Sequence, residues 1–285
     1  MKYRNIGVVG AGVIGVEVAQ SLAQTGHCVV LVDISEEILQ RARTDIRQNI
    51  RLAALFDATL RQSSHEELLS RIELTTDHAR LTGVEFVVEN TTESWPVKEL
   101  VYPVLDRVCP PECILAANTS AISISRLAAK TQRPDRVIGM HFMNPVPQKP
   151  VVEVVKAAHT SEETLEGAKH LLQQMGKKGI VVKDMPGFVS NRVLMLTINE
   201  AISVVQDNVA GPRDVDEIFV KCFGHKMGPL ATADLIGLDT VLLTLDVLFD
   251  SYNDSKYRAC SLLQRMVHAG LLGRKTGKGF FDHCV

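Results

Sequence analysis

The stretch "NIGVVGAGVIG", residues 5–15, decides the fold of the first half of the chain. A short run of β-forming residues leads straight into glycines at positions 10, 12 and 15, and an amphipathic segment follows. In this setting Gly10 permits a tight turn, Gly12 lets the backbone approach a pyrophosphate, and Gly15 allows a helix to pack closely on the strand. The stretch therefore predicts a strand, a phosphate-binding turn and a helix whose N-terminus faces an anion.

The next predicted strand, "CVVLVD" (residues 28–33), ends in Asp33, eighteen residues after Gly15. A carboxylate in this place accepts hydrogen bonds from both ribose hydroxyls of an adenosine, and it repels a 2′-phosphate. The series of strand, turn, helix, strand and Asp therefore predicts a binding site for NAD rather than NADP. The alternative is a glycine-rich turn of an unrelated α/β protein, in which the Asp stands at this distance by chance.

Composition excludes several classes of protein. The chain has 285 residues, of which 46% are hydrophobic and 22% charged, and its net charge of −2 gives no electrostatic reason to expect a nucleic-acid partner. We expect a soluble cytoplasmic protein without a membrane segment, because a run of about 18 apolar residues is missing. The cysteines lack the paired spacing of a zinc site and predict reduced thiols, and we expect no metal. They are Cys28, Cys109, Cys113, Cys222, Cys260 and Cys284.

Polar side chains follow three predicted strands at the points where these strands end. Glu93 follows the strand "VEFVVEN" (residues 84–90), Asn118 and Ser120 lie at the end of "CILAANTS" (residues 113–120), and His141 lies near the end of "RVIGMHF" (residues 136–142). Ligands of open parallel sheets bind beyond the carboxyl ends of the strands, so independent segments bring these side chains to one edge. The alternative for "NTS" (residues 118–120) is an ordinary turn that caps the next helix.

The stretch "GMHFMNPVPQKPVVEVV", residues 139–155, places His141 twelve residues ahead of Glu153 in an otherwise apolar segment. Three prolines stiffen the connection, so we predict a hairpin-like turn that returns Glu153 towards His141. A carboxylate bound to one ring nitrogen fixes the tautomer and makes the other nitrogen a better base. Taken alone, a histidine in such a segment is more often a core residue with satisfied hydrogen bonds than a catalytic base.

The character of the chain changes after Pro186 and Gly187, because the sequence beyond them is almost wholly helical in its periodicity. We predict an α/β domain over residues 1–185 and an all-α domain over residues 186–285. The predicted helix over residues 188–210 is apolar on more than one face. It suits either the centre of a domain or the core of a dimer, and periodicity does not separate the two.

Strings in register along nearly the whole chain resemble the short-chain L-3-hydroxyacyl-CoA dehydrogenases, including the 3-hydroxybutyryl-CoA dehydrogenases. They are "GAGVIG", "VAQSLAQTGHCVVLVD", "NTSAISI", "RPDRVIGMHFMNPVP", "VEVV", "PGFVSNRVL", "MGPL" and "GRKTGKGFF". The resemblance implies a Rossmann-type dinucleotide-binding domain followed by a helical domain that forms a homodimer. It also implies reversible oxidation of a 3-hydroxyacyl thioester to the 3-oxoacyl thioester, with NAD as cofactor.

The same resemblance implies roles for single residues. His141 looks like the catalytic base and Glu153 like its orienting partner, while Ser120 and Asn191 resemble the residues that hold the substrate hydroxyl and carbonyl. Glu93 and Lys98 match positions near the nicotinamide ribose. Together with the turn, the predicted cofactor contacts are Gly10, Gly12, Val13, Ile14, Gly15, Asp33, Glu93, Lys98 and Asn118.

The chain departs from the family pattern in segments expected near the acyl pocket. After "NPVP" the family commonly has a Met-Lys-Leu type of triplet, whereas this chain has Gln148–Pro150. After "MGPL" the family commonly has a Glu, and here Ala231 and Thr232 follow. The identity of the acyl group is therefore open.

Alternatives for the substrate and the function stay open as well. Residues 48–70, where relatives often carry lysines for the phosphates of coenzyme A, hold only Arg51 and Arg61 as cations. One alternative is therefore a dehydrogenase of a hydroxyacyl or glyceryl group on an acyl carrier protein, in the synthesis of polyketide extender units. Another, from a different class, is a catalytically silent NAD-binding protein that serves as a sensor or structural partner.

Overall fold

A computed structural model describes the backbone of residues 3–56 and 65–283, and their side chains except those of residues 52–56 and 65. Cys284 and Arg61 lie outside the described residues. The chain divides into two units, Met1–Asp184 and Met185–Val285. The predicted boundary after residue 185 lies one position from this division.

The first unit is built on an eight-stranded sheet with the strand order β3-β2-β1-β4-β5-β6-β7-β8. Strands β1 to β6 pair in parallel, β7 pairs antiparallel with β6, and β8 pairs in parallel with β7. The strands are Asn5–Val9, Cys28–Val32, Ile72–Thr75, Phe86–Glu89, Ile114–Ala117, Val137–His141, Val151–Lys156 and Lys178–Lys183. The strand order reverses between β1 and β4, and ligands of such sheets bind beside this reversal.

Helices α1 to α6 of the first unit are Val13–Gln24, Glu36–Phe56, His65–Ser70, Trp95–Val108, Ile124–Ala128 and Glu162–Gln174. Strands β4 and β5 are buried along their whole length, as near-continuous apolar runs in a parallel sheet should be. Helix α4 carries Pro96 in its first turn, where the missing N–H of a proline has no helical partner to lose.

The second unit is helical, with α7 to α11 at Ser190–Gln206, Pro212–Phe223, Pro229–Ile236, Leu238–Tyr252 and Ser261–His268. Helix α7 ends four residues before the predicted end, since Asn208 takes a left-handed conformation with φ of 57°. One face of α7 supplies Ile198 and Ile202 to the core of this unit, while Val193 on another face is 60% exposed. The predicted apolar character on two faces is thus present, although only one face is buried within the unit.

The fold class predicted from the sequence is confirmed: an α/β unit with a mostly parallel sheet is followed by an all-helical unit. The order of the first six strands and the position of the glycine-rich turn between β1 and α1 make the first unit a Rossmann-type domain. Within the described ranges, none of the helices is long and apolar enough to cross a bilayer.

Candidate active site

The glycine-rich turn depends on the absence of side chains at two positions. Gly10 has a φ of +96°, and a Cβ on it would lie 2.6 Å from the backbone oxygen of Asn90. A Cβ on Gly15 would lie 1.9 Å from the backbone oxygen of Gly10. Both contacts are far closer than atoms can pack, so the turn and the packing of α1 against it require glycine. The roles predicted for Gly10 and Gly15 in shaping the turn agree with this geometry.

The third glycine, Gly12, differs because a Cβ on it would meet no atom within 4 Å. This open space lies at the start of α1, where Val13 and Ile14 form the first turn. The first N–H groups of a helix have no helical carbonyl to bond, and together with the helix dipole they favour an anion. A pyrophosphate fits this place, so the residues present suit NAD, and their contacts with it remain predictions.

Asp33 lies directly after β2, beside the turn. Its Oδ2 accepts a hydrogen bond of 2.7 Å from the amide of Ala11, and its Oδ1 accepts one of 2.7 Å from the amide of Ile34. The carboxylate is partly exposed, so it can also accept from a ribose. Asp33 therefore links the end of β2 to the glycine-rich turn in addition to its predicted contact with the cofactor.

His141 and Glu153 face each other across the antiparallel pair β6 and β7, where their Cα atoms are direct partners. The ring Nδ1 of His141 lies 2.9 Å from Oε2 of Glu153, with 6% and 12% of the two side chains exposed. The predicted return of Glu153 towards His141 is confirmed. The bonding pattern assigns the proton to Nδ1, because a carboxylate only accepts, and this makes Nε2 the basic nitrogen of a neutral ring.

Ser120 lies on the other side of the imidazole. Its Oγ is 3.0 Å from Nε2 of His141, so the hydroxyl donates to the basic nitrogen in this tautomer. Three side chains from separate segments thus form a continuous series, Ser120, His141 and Glu153. We refer to this series as the catalytic corner. A hydroxyl group of a ligand that reaches Nε2 would also meet Oγ of Ser120, which can then donate to the ligand oxygen.

Asn118 connects the ends of three neighbouring strands. Its Nδ2 donates to Oδ1 of Asn90 at 2.7 Å, and its Oδ1 accepts from the amide of Phe142 at 3.1 Å. These bonds join the segments after β4, β5 and β6, one residue beyond His141 in the last case. The predicted contact of Asn118 with the cofactor stays a prediction. Its contacts with Asn90 and Phe142 hold together the strand ends that carry the catalytic corner.

Lys98 is placed differently from what its predicted contact with the cofactor needs. Its side chain is fully buried, and Nζ lies 2.8 Å from both carboxylate oxygens of Glu89 and 3.2 Å from the carbonyl oxygen of Thr91. An ammonium group has three hydrogens, and these three acceptors match them. The position favours a structural role, in which Lys98 holds the chain that leaves β4, over direct contact with the nicotinamide ribose.

Two residues that the sequence does not single out hold the connection between β6 and β7. Glu17 of α1 accepts the amide of Val146 at 2.7 Å, and Lys177 donates to the carbonyl oxygens of Val146 at 2.6 Å and Lys149 at 2.8 Å. Burial lowers the pKa of Lys177 below its ordinary value. No local pattern indicates these contacts, since Glu17 and Val146 are 129 positions apart.

The second unit carries Asn191 in the first turn of α7, and its predicted role stays a prediction. Ala231 and Thr232, where the chain departs from the family pattern, lie near the start of α9. The carboxylate of Asp216 accepts the amides of Leu230 and Ala231 there, each at 2.8 Å. Among the residues that the structure describes, no group of three or more metal-ligating side chains comes together.

Comparison with known families agrees with this geometry. The model of the 3-hydroxyacyl-CoA dehydrogenase NAD-binding domain matches residues 5–185, and the model of the C-terminal domain of the same enzymes matches residues 187–283. The chain belongs to the 3-hydroxyacyl-CoA dehydrogenase family. It is therefore an NAD-dependent oxidoreductase, which confirms the cofactor and the enzyme class that the sequence predicts.

Individual relatives are similar over almost their whole length. The chain is 42% identical over 283 residues to a probable 3-hydroxybutyryl-CoA dehydrogenase of Bacillus subtilis, covering 99% of this chain and 98% of the relative. It is 34% identical over 286 residues to human mitochondrial hydroxyacyl-coenzyme A dehydrogenase, covering 98% and 91%. The crystal structure of (S)-3-hydroxybutyryl-CoA dehydrogenase from Ralstonia eutropha superposes with a TM-score of 0.93 at 40% identity, covering 99% and 100%.

Proposed function

We propose that this dehydrogenase oxidises a short 3-hydroxyacyl-CoA thioester of the 3-hydroxybutyryl type to the 3-oxoacyl thioester, and that it also catalyses the reverse reaction. The observation that carries the proposal is the catalytic corner, in which Nε2 of His141 is 3.0 Å from Oγ of Ser120 and Nδ1 is 2.9 Å from Glu153. The names of the relatives supply the substrate class, since the one in Bacillus subtilis is named a probable 3-hydroxybutyryl-CoA dehydrogenase and the one in Ralstonia eutropha an (S)-3-hydroxybutyryl-CoA dehydrogenase.

The corner suits removal of a proton from a secondary alcohol. The substrate hydroxyl donates to Nε2 of His141, which takes its proton, while the hydroxyl of Ser120 donates to the same substrate oxygen. NAD, when bound, supplies the acceptor for the hydride that leaves the carbon. Glu153 stabilises the imidazolium that forms, because its charge is held against Nδ1 in a poorly hydrated place. In the reverse direction the imidazolium returns the proton to the oxygen.

An assay of purified protein tests the substrate. We expect turnover of 3-hydroxybutyryl-CoA with NAD, and of acetoacetyl-CoA with NADH, with kcat/KM on the order of 10⁴ M⁻¹s⁻¹ or higher. The same acyl groups loaded on an acyl carrier protein form the second arm, and His141→Gln is the control for chemistry at the corner. Turnover of the carrier-bound group alone would contradict the proposal. The carrier alternative and the silent alternative gain no support from the relatives.

We also propose that the protein is a homodimer, as the resemblance implies. The second unit has an apolar groove of about 370 Å³ between α7 and α8, lined in part by Val204 and Phe219. Val209, which also lines the groove, is 75% exposed, and Phe223, whose ring centre lies 5.6 Å from that of Phe219, is 68% exposed. Apolar side chains grouped in this way are typical of an interface rather than of a solvated face. Light scattering at micromolar concentration should give twice the mass of the chain, and a monomer would contradict the dimer.

A further inference from the structure

Ser120 belongs to a short segment after β5, residues 119–122, that turns sharply before α5. We call it the Ser120 segment. Four of its donors converge on one oxygen, Oε1 of Glu93. They are Oγ1 of Thr119 at 2.6 Å and the amide nitrogens of Ser120 at 3.1 Å, Ala121 at 2.9 Å and Ile122 at 3.4 Å.

This convergence gives the segment its shape. Three successive amides that point to one place repel each other unless a hydrogen-bond acceptor lies between them, and a carboxylate oxygen is a strong acceptor. Thr119 adds to the same arrangement, since its Oγ1 accepts the amide of Ile122 at 3.0 Å. The backbone of Ser120 is therefore held by Glu93 directly and its neighbours are held with it.

Hydrogen bonds to buried groups hold the chain that leads to Glu93. Glu93 lies four residues after Glu89, the last residue of β4, whose carboxylate is buried with Lys98. The carboxylate of Glu89 also accepts hydrogen bonds from the amide and the hydroxyl of Thr91, at 2.6 and 2.5 Å. These bonds tie the chain just before Glu93 to the interior of the sheet. A carboxylate anchored in this way can set the position of the segment that it binds.

We propose that Glu93 is a positioning residue of the dehydrogenase, which holds the Ser120 segment so that Oγ of Ser120 stays at Nε2 of His141. The inference rests on the proposed function of Ser120 and His141. In this proposal Oε1 of Glu93 binds the Ser120 segment, and Oε2 is left for the predicted contact with the cofactor ribose. Glu93 acts on catalysis through Ser120 and does not itself contact the reacting atoms.

Two substitutions separate the two oxygens of Glu93. In Glu93→Gln the amide oxygen can still accept the four bonds of the segment, while an NH₂ group replaces Oε2 and cannot accept from a ribose. In Glu93→Ala both oxygens are lost. Positioning therefore predicts that kcat at saturating NAD falls about 10- to 100-fold in the Ala variant and is restored by Gln to within about fivefold of the wild type. A role confined to the ribose predicts that both variants raise the KM for NAD and spare kcat.

The decisive experiment combines Glu93→Ala with Ser120→Ala. If Glu93 works through Ser120, the double variant should have a kcat within about threefold of Ser120→Ala alone, because groups that act as a unit are strongly non-additive. Losses that multiply would overturn the inference. Glu99→Ala is the matched control, since Glu99 lies six positions on and pairs with Lys130 at the surface at 3.2 Å, and it should leave kcat unchanged.

Failure of this inference can be told apart from failure of the proposed function. A Ser120→Ala variant with wild-type kcat would remove the proposed role of Ser120, and the role of Glu93 with it. A slow Ser120→Ala variant beside a fast Glu93→Ala variant would overturn the positioning role alone. Thermal unfolding of each variant shows whether it folds. If Glu93→Ala does not fold, Glu93→Gln decides, since a fall in kcat as large as that of Ser120→Ala overturns the inference.

Discussion

The glycine-rich turn and the catalytic corner both lie at the edge of the sheet where strands β1 to β6 end, but they are built in opposite ways. In the turn, Gly10 and Gly15 serve by lacking side chains, since a Cβ on either would collide with backbone atoms. In the corner, Ser120, His141 and Glu153 serve through side chains that contact each other. The turn is shaped by the absence of side chains, whereas the corner is held together by hydrogen bonds between side chains.

This difference sets what each region tolerates. The turn is a single stretch of chain, so its function depends on local backbone geometry and on the space above it. The corner joins segments that lie 12 to 21 residues apart, so it depends on the register of β6 and β7 and on the segment that carries Ser120. Substitutions in the corner should therefore change the rate of chemistry, whereas those in the turn should change the affinity for NAD and the stability of the fold.

The largest effect is expected at the pair in the corner. His141→Gln removes the base, and kcat should fall about 10²- to 10⁴-fold. Glu153→Gln keeps a side chain of the same shape but removes the charge that stabilises the imidazolium, so it should lose a comparable amount with little change in the affinity for NAD. Steady-state kinetics and calorimetry with NAD measure the two quantities.

The double variant of this pair sharpens the comparison with the turn. Because the two residues act as a unit, His141→Gln with Glu153→Gln should lose hardly more than either single substitution. Independent losses that multiply, or an unchanged kcat for Glu153→Gln, would mean that the carboxylate is only part of a core strand. The corner would then resemble the turn, in which side chains carry no chemistry.

How far the sequence predicted each region follows from the same difference. The turn was predictable because its residues are contiguous and each glycine has a steric reason. The return of Glu153 to His141 was predictable from prolines between two apolar runs. The hydrogen bonds of Lys177 and Glu17 to the connection between β6 and β7 were not predictable, because these partners come together only when α1, β6 and β8 are in place. The burial of Lys98 was also beyond the sequence, since periodicity does not show which carboxylate a lysine meets.

A smaller effect is expected at Asp33, which is the one side chain of the turn region with a predicted chemical role. Asp33→Ala should lower the affinity for NAD by about 10- to 100-fold, because charge-assisted hydrogen bonds to the ribose are lost. Each such bond contributes about 1.5–3 kcal/mol before water compensates for its loss. The loss of its bond to the amide of Ala11 adds to this. Asp33→Asn is the matched control, and it should relax the preference for NAD over NADP. Calorimetry that finds an unchanged affinity for NAD would refute the assignment.

The smallest effects, and the finest test of the comparison, come from two alanines in the turn. Gly15→Ala places a Cβ 1.9 Å from the carbonyl oxygen of Gly10, so α1 must move away and unfolding should become easier by about 1–3 kcal/mol. Gly12→Ala meets no atom within 4 Å and has a φ of −72°, so the free energy of unfolding should change by less than about 1 kcal/mol.

For the affinity for NAD the order of the two variants should be reversed, with the larger loss in Gly12→Ala. The methyl group of Gly12→Ala enters the open space where the pyrophosphate is expected, so the affinity for NAD should fall by about tenfold although the fold is intact. Neither variant should alter the non-additivity of His141 and Glu153, because the turn contributes no side chain to the corner. Thermal unfolding and NAD calorimetry on both proteins check the expected changes in stability and in affinity for NAD. A Gly12→Ala protein with normal NAD affinity would show that the space above Gly12 is not where the cofactor lies, and the turn would then be a packing device alone.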